Sequence, residues 1–173
     1  LEPPEAATLG ALRATGALCT MLELEHSVTP YYWLNIADPA MPFGGLIEHT
    51  NYIPRERYGG RRVLYISNYL FPEHPLFRAP KREVLAAYLP ALRRVNPAFD
   101  ESWILASHHF RAESAQPVVT TGYRQRIPAQ RASVPGLYLC TMAQIFPEDR
   151  GQNYAIAYGE RTARTVLEDC GIP

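Results

Sequence analysis

The residues best suited by type and spacing to do chemistry are Pro147-Glu-Asp-Arg-Gly151 and the polar residues that follow, Gln152, Asn153 and Tyr154. The proline sets a rigid turn, Glu148, Asp149 and Arg150 offer charge of both signs, and Gly151 lets backbone approach a ligand closely. A helix beginning here aims its unpaired N–H groups and its dipole at an anionic or carbonyl-bearing group. A plain strand-loop-helix connection with a structural Asp149–Arg150 turn accounts for the same residues, because the glycine triplet of a dinucleotide fingerprint is missing. A second polar run is Glu48-His-Thr-Asn51. It reads either as an edge strand with one wet face or as a strand whose His49 or Asn51 borders a pocket. Tyr31-Tyr32-Trp33 cannot all face one side of a strand, so at least one of them lines a second surface. His108 and His109 are adjacent on a predicted strand and point to opposite faces, which does not suit a shared metal; no metal site is expected.

Several elements must position these groups. The run Leu137 to Cys140, bracketed by Pro135-Gly136, predicts a short central strand. A helix follows from Asn153, where Ala155, Gly159 and Ala163 recur every four residues and predict a bare face packed tightly on another element. Upstream, the pattern predicts a helix over 5–13 stopped near Gly16, then strands over 17–24, 31–37, 46–52 and 62–69. The glycine-rich turns between the last two suggest an antiparallel meander. A helix over 81–94 buries Val84, Leu85, Tyr88, Leu89 and Leu92 on one face, with Pro90 expected to kink or split it and Asn96-Pro97 to end it. Strands over 103–110 and 118–123 and a loop over 124–134 complete the chain. The expected class is α+β: a mixed, largely antiparallel sheet with flanking helices, ending in a strand-loop-helix.

At 173 residues the chain is long enough for one domain, or two small ones, with a real core. Lys plus Arg equals Asp plus Glu at 17 each, so no overall field points to nucleic acid or an anionic membrane surface. No run approaches the roughly 20 apolar residues of a membrane span. Cys19, Cys140 and Cys170 are odd in number and widely spaced, which fits reduced, mostly buried thiols in a cytoplasmic protein. The chain opens on Leu1 without a basic-then-apolar leader and is expected to be a piece of a longer protein. No G-x-G-x-x-G turn, nucleophile elbow, P-loop or plausible Cys–His pair is present.

The order of Tyr31-Tyr-Trp33, Glu48-His-Thr-Asn51, Asn96-Pro-Ala-Phe99, Ala115-Gln-Pro117, Gly136-Leu-Tyr-Leu139 and Pro147-Glu-Asp-Arg-Gly151 resembles the C-terminal half of FAD-dependent amine oxidase-like proteins. That group includes protoporphyrinogen oxidases, phytoene desaturases and many NAD(P)/FAD-dependent oxidoreductases. The resemblance implies a substrate-domain-like region over 1–134 and, over 135–173, the closing strand and helix of an incomplete FAD-binding domain. It makes Leu137 to Thr141 the returning strand and gives Thr141, Asp149, Arg150, Gly151, Gln152, Asn153 and Tyr154 to the cofactor. Tyr32, Trp33, His49 and Asn51 fall on the substrate side. Cys140-Thr141 stands where family members often carry Gly-Asp, so the Thr141 hydroxyl, Glu148 or Asp149 would take over part of the acid's contact with the cofactor.

The implied activity is hydride transfer from a substrate C–H or C–N bond to flavin, with the isolated fragment inactive and no catalytic side chain assigned. The implied partners are a small-molecule substrate, the missing N-terminal FAD-binding half, and further copies of the chain that self-associate through an exposed docking surface. The alternative is a non-enzymatic small-ligand-binding domain that uses an aromatic-lined sheet face.

Overall fold

Strand β1 (Ala14–Leu24) follows the pleat: Leu18, Thr20, Leu22 and Leu24 are fully buried and the residues between them are half-buried. The computed structural model describes residues 4–172. Helix α1 (Pro4–Gly10) precedes β1, and the short strands β2 (Trp33–Asn35) and β3 (Gly45–Glu48) follow it. After β4 (Arg62–Leu70) come α2 (Pro75–Arg78), α3 (Lys81–Val95), β5 (Ile104–Pro117) and α4 (Gln152–Asp169). The sheet runs β2-β3-β4-β1-β5, with β2–β3, β3–β4 and β4–β1 antiparallel, so the α+β class and the meander stand. At the ends of the β1–β5 pair, Glu25 N–H donates to Trp103 O and Val118 N–H to Arg13 O.

The chain divides into two compact units, Thr15–Ala115 and a second made of the residues up to Ala14 with those from Gln116 onward. The expected division between 134 and 135 falls inside the second unit.

The first unit holds the apolar core. Leu18, Leu22, Leu46, Leu64 and Ile66 from the sheet meet Val84, Tyr88 and Leu92 of α3, with Phe43 edge-on to Tyr88 at 5.3 Å. Burial pushes the Tyr88 phenol up to about 12. Helix α3 is a single element to Val95, so of the two expected effects of Pro90, a kink or a split, the split does not occur; Pro90 lies on the exposed face, where the carbonyl it leaves unpaired can be solvated. Gly16 is not a helix stop. It sits inside β1 opposite Leu70, and a Cβ there would lie 2.5 Å from Phe77 Cε2 and 2.8 Å from Ala112 O.

Several expected strands shorten or vanish. The segment 31–37 is a strand only over Trp33–Asn35, and 46–52 ends as a strand at Glu48 and turns into a 3-10 helix over His49–Asn51. β3 lies inside the sheet, not at its edge, and Glu48 is fully buried, so the wet-face alternative is overturned. β5 extends to Pro117, leaving no strand over 118–123.

The second unit is held by polar contacts. Buried Gln144 donates to Pro128 O at 3.1 Å and accepts from Thr141 N–H at 2.8 Å. The Gln130 amide bonds Thr162 and Thr165 on α4. Leu137 to Cys140 is not a strand: Tyr138 alone bridges to Arg131, since only one neighbouring residue lies in register. Cys140 is therefore exposed, as is Cys170 at the end of α4, and only Cys19 is half-buried, contrary to the expectation of mostly buried thiols. The Ala155–Gly159–Ala163 face is not packed either; a Cβ at Gly159 would meet nothing within 4 Å. Here small residues mark an open face because the contacts that seat α4 come from Thr162 and Thr165 instead.

Asp169 closes this unit. It accepts from Arg131 Nε and Nη2 at 2.7 and 2.9 Å and from the Tyr138 hydroxyl at 2.7 Å. The Arg131 guanidinium, then Tyr138, lower its carboxyl from an ordinary 3.8 to about 2. A depressed folded pKa contributes stability above the unfolded value and loses it as pH falls through the folded one. Helical circular dichroism of the wild type is thus expected to decline between about pH 4 and pH 2, and Asp169→Asn should show a smaller decline in that window.

Candidate functional site

In the second unit, the loop from Thr141 to Gly151 borders two cavities. One, of about 350 Å³, is lined by Ile145, Phe146 and Glu148 and by Tyr154, Tyr158 and Arg161 of α4. The other, of about 210 Å³, is lined by Tyr123, Pro147, Glu148, Asp149 and Arg150 among others. Glu148 belongs to both. Asp149 Oδ1 accepts from Gln116 Nε2 at 3.2 Å and from Arg150 N–H at 2.9 Å, which orders the turn. Arg161 lies over the Tyr158 ring at 4.4 Å, fixing a cation beside the first cavity. α4 begins at Gln152, after Gly151 in extended backbone, and no side chain caps it by a hydrogen bond.

Of the cofactor-side residues expected from the sequence, Asp149 and Arg150 line one cavity and Tyr154 the other. Gly151, Gln152 and Asn153 form the start of α4, with Asn153 Oδ1 folded back to 2.6 Å from where a Gly151 Cβ would stand. Thr141 lines neither cavity; its N–H and C=O are both taken by Gln144.

In the first unit, the sheet face turned away from α3 carries a cross-strand row. Register places Met21 opposite Tyr65, Tyr65 opposite Ile47, and Ile47 opposite Trp33. These four side chains form an apolar stripe across β1, β4, β3 and β2. At one end of the stripe a cavity of about 400 Å³ is lined by Met21, Tyr58, Val63 and Tyr65, with Glu23 and Arg61 beside them. Glu23 accepts from Arg61 and pairs with His108 Nε2 at 2.9 Å, and Arg61, then His108, hold its carboxyl below the usual range.

His49 buttresses this cavity. Its ring stands edge-on to Tyr58 and Tyr65, and its Nε2 is 2.6 Å from the Tyr58 hydroxyl. Asn51 works at a turn: Nδ2 donates to Thr29 O at 2.7 Å and Tyr31 O at 3.2 Å. Glu48 Oε2 clamps the same turn, accepting from Val28 and Thr29 N–H at 3.0 and 2.8 Å, and Asn96 Nδ2 holds Val28 O. The turn leads straight into Tyr31, Tyr32 and Trp33, all exposed, with Tyr52 against Tyr32 at 5.2 Å. Polar residues at 48–51 thus position an aromatic patch.

His108 and His109 do point to opposite faces, toward Glu23 and toward Thr20 Oγ1 at 3.0 Å. Burial, then the charges of Arg111 and Lys81, lower the His109 pKa and favour a neutral ring. No group of metal-ligating side chains occurs among the described residues, and no described helix is long and apolar enough to cross a membrane. The sequence reading missed Met21, Tyr58, Val63 and Tyr65. The signal was available, since Met21, Val63 and Tyr65 occupy alternate positions opposite the core face of their strands.

No family model matches this sequence, and no curated protein does. Among solved structures, the fold is like part of a candidate protoporphyrinogen oxidase from Exiguobacterium sp. 255-15, at TM-score 0.70 and 16% identity over 94% of this chain. It is also like part of a reduced UDP-galactopyranose mutase, at TM-score 0.55 and 14% identity over 70% of this chain. The chain spans 37% of the first protein and 26% of the second.

Proposed function

We propose that this chain is the substrate-facing and cofactor-closing part of an FAD-dependent oxidoreductase. The observation that carries the proposal is the likeness of 94% of the chain to one segment of a candidate protoporphyrinogen oxidase. A mutase in its reduced form shares the fold over 70% of the chain, which is in keeping with a redox cofactor. A free-standing ligand-binding domain is not favoured, because both likenesses are to segments of enzymes.

The loop at 145–150 and the start of α4 fit one edge of a flavin nucleotide. Arg150 and Arg161 supply cations, Tyr154 and Tyr158 supply ring faces, and the uncapped helix start supplies N–H groups for anionic oxygens. Asp149 holds the turn through Gln116 and the Arg150 N–H, and so sets where Arg150 sits. When bound, FAD supplies the hydride acceptor.

In the other unit, the Met21–Tyr65–Ile47–Trp33 row receives the apolar body of a substrate, and the Glu23–Arg61–His108 cluster meets a polar end. His49 keeps Tyr58 and Tyr65 upright along that surface. The substrate bond oxidised is C–H or C–N, and the row excludes water from the apolar part of the molecule.

Arg150→Ala tests the cofactor side. In the protein encoded by the complete reading frame, FAD affinity is expected to fall about tenfold, the cost of one charge-assisted hydrogen bond. Unchanged affinity measured by fluorescence titration would remove Arg150 from the site.

A further inference from the structure

We infer that two copies of this chain pair edge to edge through β5, antiparallel about a twofold axis at Ala112. β5 ends the sheet order, and at 14 residues it is far longer than β2, the 3-residue strand at the other edge. An edge strand of that length presents a ladder of outward N–H and C=O groups that templates another strand. Proteins usually blunt such an edge with lysine, proline or a covering element. From Ile104 to Gln116 this strand has neither lysine nor proline of its own; Lys81 Nζ occupies the Ser107 carbonyl at 3.2 Å, but Phe110 through Ser114, further along, are all exposed.

Charge selects the partner and the register. A second copy placed so that the sheet continues with matching faces must pair residues whose numbers sum to an even value. Centred on Arg111, the ladder sets Arg111 against itself; centred on Glu113, it sets Glu113 against itself. Centred on Ala112, it sets Arg111 of each copy opposite Glu113 of the other, twice by symmetry, and a small side chain meets itself on the axis. Unlike charges directly opposite on neighbouring strands attract, and like charges there repel. Arg111 also donates to Ala79 O, and a guanidinium has donors enough for both contacts. The strand is therefore self-complementary in one register and self-repelling in its two neighbours.

Sedimentation equilibrium on the 173-residue chain and its charge variants tests this. The wild type is expected to reach twice 19.5 kDa at micromolar concentration. Glu113→Arg and Arg111→Glu, each placing like charges opposite, should weaken the dimer about tenfold or more, and the double exchange should restore it. Circular dichroism confirms that each variant is folded. A wild-type monomer throughout, or a dimer that the single exchanges leave intact or the double exchange fails to recover, overturns the inference. Monomer would leave the edge to a strand of another chain or of a longer form of this one.

Discussion

Glu48→Ala is expected to cost the sheet unit about 4 kcal/mol of unfolding free energy. Glu48 is fully buried, and one carboxylate oxygen satisfies two backbone donors, Val28 N–H and Thr29 N–H. Alanine leaves both donors without their acceptor and opens a cavity beside Leu64, its register partner. Each orphaned buried donor costs about 1–3 kcal/mol, and the cavity adds to that. Glu48→Gln keeps an acceptor oxygen and is expected to cost about half as much. Urea unfolding followed by circular dichroism measures both, and a loss below about 1 kcal/mol for the alanine variant would deny the clamp. The functional consequence is local: the turn released is the one that delivers Tyr31, Tyr32 and Trp33 to the surface.

Gly16→Val is expected to destabilise the same unit by about 3 kcal/mol. Valine favours strands over glycine, so propensity alone predicts stabilisation. Sterics predict the opposite, because the first added carbon already lies 2.5 Å from the Phe77 ring and 2.8 Å from the Ala112 carbonyl. The ring can turn aside, but the carbonyl belongs to the backbone of β5 and moves only with the strand. The sign of the change in the urea midpoint decides between the two effects.

Gly16 also shows where sequence patterns stop. Beside a helix pattern it resembles a helix stop, and nothing local reveals an aromatic ring from 61 positions along the chain pressing on it. β1, β4 and α3 were legible because their periods of 2 and 3.6 record a single buried face each. β3 was not, because its last residue is a carboxylate whose partners come from a turn about 20 residues earlier. Leu137 to Cys140 has a strand's composition, yet a strand also needs a neighbour in register, and Arg131 provides that at one residue only. The small-residue stripe of α4 proved similarly indifferent, since it describes a shape that can be packed or left open.

For the candidate site, the cavity-bordering loop before α4 was legible from its charged turn and helix start. The polar residues expected on the substrate side have a structural task, as Asn51 holds a turn and His49 supports two tyrosines. The cavity itself was hidden because it is assembled from the second faces of β1 and β4.

The measurement that bears most directly on the central claim is the flavin content of the protein encoded by the complete reading frame, purified without added cofactor and then titrated with FAD. The expected result is flavin absorbance that survives gel filtration, or saturable uptake of about one FAD per chain, with affinity lowered by Arg150→Ala. A colourless protein that takes up no FAD would contradict the proposal, whatever its fold resembles.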